Sequence, residues 1–358
     1  MRTAIPNNEI MKYDPCPLPL KVLLASIFLF LLVNCKKHET GPLPEVITAE
    51  EMVLTQTKAI SGGNILSDGG FPVTARGVCW SQKKKPSIKD NHTNDGSGSG
   101  LFTSEITGLN IGVNYYVRAY ATTEKGTAYG DEILIMDHTG TEGTVTDIDG
   151  KAYKTIGIGT QIWMAENLKV SRYRTGDYLS YPGNDLWWRS ITTGCYAWFD
   201  DDEAWQNIYG ALYDWTAVNE AKGLCPEGWH IPGDSDWNKM IIYMDGDSNQ
   251  VGGLLKSCRQ VGSPLGGECN TGEHPRWDEN TSFSGTDQFR FGALPGGFRL
   301  FDGSFPNFLG SNGQWWSSEE GSNNAEAIAY GLSSSNNNLF RDKYNKKFGF
   351  SVRCVKDE

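Results

Sequence analysis

The sequence predicts a two-domain protein, an all-β module followed by an α+β domain, and three observations carry that reading. Residues 46–136 are short alternating segments broken by glycine pairs, with no helical period held over three turns. Beyond a polar, Gly- and Thr-rich junction at 137–143 the composition changes, and 11 of the 12 tryptophans lie past it, so a second core begins there. In that second part helical spacing is confined to the middle while strand signals lie at both ends, the order of an α+β domain. The length of 358 residues agrees, at roughly 150 residues per domain.

The chain opens with an export signal. Lys12 and Lys21 precede an apolar run at 22–33, which is well short of the roughly 20 residues a helix needs to cross a bilayer. Residues 1–34 are read as a signal peptide, with Met11 as an alternative start. The run closes in Leu-Val-Asn-Cys at Cys35, which resembles a bacterial lipobox and implies a diacylglycerol on that cysteine, with Asn34 departing from the usual small residue. Residues 35–45 then form a tether with Gly41, Pro42 and Pro44. A membrane is therefore a partner through the lipid, at the outer membrane or cell surface, with a periplasm-facing position as the alternative. The formal charge of -11 repels polyanions, which argues against nucleic acid.

In the first module, assigned to 46–138, strands are expected at 52–60, 73–80, 101–106, 114–122 and 127–135. Turns are expected at Gly62-Gly63, Gly69-Gly70, 95–100 and Lys125-Gly126. The segment from Gly108 through Tyr115 to Ala121, with the strand around Cys79 and Trp80, resembles the tyrosine-corner strand of an immunoglobulin or fibronectin type III sandwich. That resemblance implies a spacer.

The second domain, assigned to 144–356, begins with an Asp149-Gly150 turn between alternating segments, the mark of a hairpin. One helix is expected over 209–221, with Ala211, Trp215 and Val218 on one face and Gly223 as its cap. A second carries Trp237, Met240, Ile241 and Met244 at i, i+3, i+4 and i+7 behind Gly233 or Asp234. Six motifs recur in order: Asp147 to Gly150, Trp163 to Leu168, Cys225 to Pro232, Ala293 to Arg299, Trp315 to Ser318 and Gly349 to Val355. Together they resemble the Fibrobacter succinogenes major paralogous domain. The resemblance implies an exported lipoprotein and an architecture similar to C-type-lectin-like domains and the formylglycine-generating enzyme, and it brings no particular chemistry. It likens Cys225 and Cys354 to the long disulfide of a lectin-like fold, while Cys258 and Cys269 flank a polar, glycine-rich loop suited to a local clamp; four unpaired thiols are the alternative. Cys79 and Cys195 fall in different domains and are expected free.

No catalytic signature stands out. The chain contains no G-x-S-x-G, H-E-x-x-H, C-x-x-C, Walker A or G-x-G-x-x-G motif, and the reading is of a non-enzyme. His230 is read as structural. Asp245 opens a calcium-like loop that lacks the glycine and glutamate such a loop requires, so a turn is expected. Asp200, Asp201, Asp202 and Glu203 form an acidic run, read as a solvated loop with calcium as an alternative; no other cofactor is implied. Trp163, Trp229, Trp237, Trp315 and Trp316 are assigned to the core. Trp187 and Trp188, in a Pro- and Gly-flanked insertion, are taken with the acidic run as ligand-binding candidates for a glycan or an extracellular or envelope protein, packing over the core being the alternative. A carbohydrate-active or protein-modifying enzyme and a structural envelope component remain the competing functions.

Overall fold

Alternation of buried and exposed side chains builds the first module as two antiparallel sheets. The computed structural model describes residues 41–50, 52–244 and 246–358; residues 1–34, expected to be a signal peptide, Cys35, residues 36–40 of the expected tether, and Asp245 lie outside the described residues. The strands are β1 (Glu45–Thr48), β2 (Val53–Leu54), β3 (Lys58–Ser67), β4 (Ala75–Ser81), β5 (Asn91–His92), β6 (Gly100–Thr107), β7 (Tyr115–Thr123), β8 (Gly126–Tyr129) and β9 (Ile133–Ile135). One sheet places β3 between β6 and the pair β1 and β2; the other places β7 between β4 and the pair β8 and β9, with β5 outside β4. Ala59 and Ile106 from the first meet Val78, Val117 and Ile135 from the second in one buried cluster. The Tyr115 hydroxyl accepts the Asn110 N–H at 3.3 Å and closes the connection into β7.

Three expectations for this module change. Gly62 and Gly63 lie inside β3 rather than in a turn. A Cβ on Gly62 would stand 2.2 Å from the Phe102 carbonyl oxygen, and one on Gly63 would stand 2.6 Å from Ala119 Cβ. The pair therefore serves the close approach of neighbouring strands. The strand expected at 52–60 is instead a hairpin, turned where Thr55 N–H donates to Lys58 O at 2.8 Å. The strand expected at 127–135 divides into β8 and β9 at Gly130, which lies against the Thr48 backbone.

The second domain closes on itself. β10 (Glu142–Thr146) and β11 (Ala152–Ile158) form the hairpin, whose turn is fixed by Asp147 Oδ1 accepting the N–H groups of Asp149 and Lys151, both at 2.9 Å. After β12 (Gln161–Met164) come α1 (Asp185–Ser190), β13 (Tyr196–Ala197), α2 (Gln206–Tyr209), β14 (Leu212–Tyr213), α3 (Trp215–Val218), β15 (Trp229–His230), α4 (Asp234–Tyr243) and α5 (Ser248–Leu255). The chain ends with β16 (Asn312–Glu320), β17 (Glu326–Ser333), β18 (Phe340–Asn345) and β19 (Val355–Lys356). The main sheet has the order β10-β11-β12-β19-β15, and β16-β17-β18 form a second. Disulfides join Cys225 to Cys354 and Cys258 to Cys269. The first closes a span of 129 residues, which the chain-entropy account values at about 5 kcal/mol.

The helix α4 follows its sequence pattern, with Trp237, Met240 and Met244 buried and Ile241 packed against the same core. The helix expected over 209–221 is instead two single turns, α2 and α3, separated by β14. Gly210, at φ 77°, ends the first, and the Asp214 carboxylate restarts the second by accepting the Ala217 N–H at 3.0 Å. Gly223 does take a positive φ, but α3 ends at Val218. The helix α5 was not anticipated because Gly252 and Gly253 sit in its middle; both are pressed against Asn337, where a Cβ would stand 2.6 and 2.9 Å from its atoms.

The junction between the modules is hydrogen-bonded to both. No sheet crosses it among the described residues, yet Tyr243 at the end of α4 donates its hydroxyl to Asp137 at 3.0 Å and accepts from Thr139 Oγ1 at 2.8 Å. Asp137 also accepts the Gly112 N–H of the first module, and Gly159 N–H donates to Thr139 Oγ1, so one phenol ties both bodies to the linker. Leu54 of β2 packs against the cores on both sides. Tyr243→Phe removes that hydroxyl and leaves buried Asp137 short of a donor. It is expected to cost about 1–2 kcal/mol in urea denaturation and to speed proteolysis within 138–143. Unchanged stability and cleavage would mean that the joint does not depend on Tyr243.

Candidate functional site

A single carboxamide organises the floor of an open cleft in the second domain. Asn167 follows β12 and uses all four of its hydrogen-bonding positions. Its Oδ1 accepts from Trp315 Nε1 and from Arg353 Nε, both at 2.9 Å, and its Nδ2 donates to the Tyr209 carbonyl at 2.8 Å and to Ser351 Oγ at 3.2 Å. Arg353 is fully buried, bonds the Phe291 and Gly292 carbonyls, and lies over the Phe291 ring at 4.2 Å; burial pushes its guanidinium down to about 9. The β12 exit, α2, β16 and the 287–294 segment thus meet at fixed positions.

Above this floor opens a cleft of about 900 Å³. One side is the face of β10 and β11 carrying Thr144, Lys154 and Ile156, another is α2 with Gln206 and Asn207, and the third is the 257–259 segment with Arg259, facing 287–292. The three carboxylates in the lining are each held by a neighbour. Glu142 pairs with Arg290, Glu166 accepts the Lys154 N–H and lies 3.9 Å from Lys169, and Asp287, whose pKa is raised by burial, accepts the Gly292 N–H at 2.7 Å. Other groups are uncommitted. Among the described residues the Lys154 ammonium, the terminal nitrogens of Arg259 and the side-chain amides of Gln206 and Asn207 make no hydrogen bond or ion pair. The Ser257 hydroxyl is buried without a partner. The lining contains no aromatic ring. In a chain of charge -11, this concavity is left with unmatched positive charge.

The aromatic and acidic insertion singled out by sequence is a different feature. Its two halves do meet, around Arg299, which is wholly buried. Arg299 donates to both oxygens of Asp201 at 2.8 and 3.1 Å and to Asp185 at 3.3 Å, and lies 4.6 Å over the rings of both Trp188 and Phe305. Trp188 is therefore core, at 0% exposure, with its indole N–H donating to the Lys347 carbonyl at 2.9 Å. An exposed Trp188 is corrected: the insertion is the helix α1, and adjacent residues on a helix diverge, so Trp187 alone stays 53% exposed, beside Leu186. Asp201 is likewise no free ligand, because its carboxylate neutralises Arg299. Asp202 caps the following turn through Ala204 N–H, while Asp200 and Glu203 remain at the surface.

The remaining residues fall into place around these centres. Cys79 and Cys195 are free and buried, and burial pushes the Cys79 thiol up to about 12. His230 lies between Asp357, at 2.7 Å, and Asp236, at 3.3 Å, joining the end of the chain to the start of α4. Asp247, which follows the undescribed Asp245, caps α5 by accepting the Asn249 N–H. Trp163, Trp229, Trp237, Trp315 and Trp316 are buried, and so are Trp198, Trp215 and Trp277, which no motif had marked. The cleft residues escaped sequence reading because they are common polar types scattered from 142 to 294. Arg353 did leave a trace: it is a lone charge within the apolar run Phe-Gly-Phe-Ser-Val-Arg-Cys.

Comparison with known proteins covers five of the six motifs, Asp147 to Gly150 lying ahead of the matched residues. The model of the Fibrobacter succinogenes major domain family matches residues 156–356, more than half of the 358, and the chain belongs to that family. No curated protein matches it. Among solved structures, the twitchin kinase region from C. elegans (Fn31-NL-kin-CRD-Ig26) is similar at 14% identity, over 59% of this chain and 37% of that one, with a TM-score of 0.20. At that score the likeness carries no argument, and this chain spans little more than a third of that structure.

The two tryptophans of α1 separate by experiment. Trp188→Ala removes a ring packed on Arg299 and is expected to cost about 3–5 kcal/mol, whereas Trp187→Ala is expected to cost under about 1 kcal/mol in the same urea titration. Equal losses would contradict the division of α1 into a buried and an exposed ring.

Proposed function

We propose that this member of the Fibrobacter succinogenes major domain family is an exported, lipid-anchored binding protein whose cleft takes a polar stretch of glycan or protein without chemical turnover. The observation that carries the reading is the set of uncommitted polar and cationic groups that converge on one open cleft above an immobile floor. With each lining carboxylate held by a neighbour, the cleft offers binding groups rather than a free acid and base. The half-exposed Trp187 on α1 is a secondary contact surface in this reading. Calcium has no part in it, since Asp201 is committed to Arg299.

Export rests on Lys12, Lys21 and the apolar run at 22–33, with Cys35 as the lipidated residue at the outer membrane or cell surface. Two disulfides fit an oxidising compartment. No helix among the described residues is long and apolar enough to cross a membrane. We read the first module as a fibronectin type III-like spacer. Gly41 lies against Phe71, whose ring also meets Lys125 beside the β7–β8 turn, while the chain leaves through β9 at the Tyr115 end of β7. The nine residues of β7 thus separate the Gly41 end of the module from its exit at Ile135 by about 30 Å. We read the head as C-type-lectin-like, because β12 and β19 pair early and late parts of the domain and the Cys225–Cys354 bridge ties the segment ahead of β15 to the one ahead of β19.

Two measurements test this reading. Cys35→Ala is expected to move the protein from the membrane to the soluble fraction, and retained membrane association would remove the lipid anchor. On an array of glycans and extracellular proteins, the full chain is expected to bind, and Lys154→Ala with Arg259→Ala to weaken binding about tenfold while Trp187→Ala changes it less. Loss of binding in Trp187→Ala alone would move the site to α1. Turnover of a bound molecule would favour an enzyme, and an empty array a structural envelope component.

A further inference from the structure

The cleft has a feature that side chains alone do not describe: one of its sides ends in an unpaired strand edge. In the β10–β11 ladder Asp147 N–H donates to Lys151 O, so the pairs that exchange hydrogen bonds are Val145 with Tyr153 and Gly143 with Thr155. Glu142, Thr144 and Thr146 therefore direct both N–H and C=O outward. β10 is the outermost strand of its sheet and almost wholly exposed, and these six backbone groups have no partner among the described residues. Exposed edges are ordinarily blunted by charge, proline or a bulge. The edge strand β18 is blunted in this way, carrying Arg341, Asp342 and Lys343. β10 carries Glu142 alone, already neutralised by Arg290, followed by Gly-Thr-Val-Thr with a regular register.

We propose that the cleft binds an acidic polypeptide segment in extended form, added as a sixth strand along β10. This deepens the binding reading above and rests on it. Opposed residues of an antiparallel pair share a face, so Thr144 and Lys154 stand on one side of the sheet, and both line the cleft. Every second side chain of an added strand falls on that same side, where the Lys154 ammonium and the Arg259 guanidinium are unmatched. Backbone pairing supplies affinity, and carboxylates at alternate positions complete the charge. A glycan is the weaker fit, because no ring in the lining offers a sugar face a stacking surface and no sugar matches the spacing of strand donors and acceptors.

The test uses the full chain and fluorescein-labelled peptides of about ten residues that alternate Asp or Glu with Thr, Val or Ile. The same pool with Lys in place of the acids, the acidic pool N-methylated at alternate residues, and polygalacturonate serve as the other arms. Anisotropy is expected to rise with the acidic pool alone, and binding to weaken about tenfold on going to high salt. Lys154→Glu with Arg259→Glu is expected to weaken it by about tenfold or more. Thr144→Pro, which removes an outward N–H and leaves the ladder to β11 intact, is expected to do the same. N-methylated peptides ask the same question of unmodified protein and are expected not to bind. Equal binding of the lysine pool, or undiminished binding of the N-methylated pool, would overturn the proposal. Polygalacturonate binding that depends on Lys154 and Arg259, with no peptide bound, would overturn it and leave the cleft as a glycan site. Silence in every arm, together with an empty array, would remove both readings.

Discussion

Everything in the head is hung on the Asn167 carboxamide. A buried amide with two donors and two acceptor positions is costly unless all are matched, and here three distant parts of the chain match them: Trp315 of β16, Tyr209 of α2, and Ser351 with Arg353 before β19. These partners lie between 42 and 186 residues away in sequence. Gly210 is obliged to be glycine by the same hub, since a Cβ there would stand 2.7 Å from Asn167 Cβ. Saturation also explains why Asn167, though it lines the cleft, offers a ligand nothing: its role is to hold the floor still while Lys154, Arg259, Gln206 and Asn207 remain available.

A second constraint is the burial of two arginines and a lysine without loss of their charges. Arg299 is matched by Asp201, with Asp185 beside it, whereas Arg353 has carbonyls, an amide and two rings. Lys256 donates to the carbonyls of Phe283, Ser333 and Asn336, and burial draws it down to about 8. Such groups are poor sources of net stability, but they demand particular partners from distant loops, and the long segment from 256 to 311 contains no strand and only one short helical turn. Cation and carbonyl pairing gives that segment a defined path where regular secondary structure does not.

What could be read from the sequence divides along a physical line. Periodic signals were legible: α4 from its Trp, Met, Ile and Met spacing, the β10–β11 hairpin from Asp149-Gly150, and the core tryptophans from the motifs that contain them. Signals that depend on what lies opposite in space were not. Gly62-Gly63 has the composition of a turn and the function of a close strand contact, and Gly252-Gly253 hid α5 for the same reason. Trp187 and Trp188 are alike on paper, and only the helix beneath them decides which faces Arg299. The acidic run looked solvated because its counter-charge sits 98 residues further on. The cleft was the least visible of all, being assembled from ordinary residues of six separate segments, and the joint at Asp137 required knowing that Tyr243 would arrive there.

The position of β19 has a consequence for how the head folds. Only two residues long, it lies inside the main sheet between β12 and β15, where Val355 faces Trp163 on one side and Val355 and Lys356 face His230 and Trp229 on the other. β12 and β15 are therefore joined only through a strand that follows both β16-β17-β18 and the long irregular segment in sequence, so the sheet cannot close until that distant segment is in place. Closure of this kind gives the head a high contact order and a slow folding step. Displacing β19 would divide the sheet at its centre rather than trim its edge.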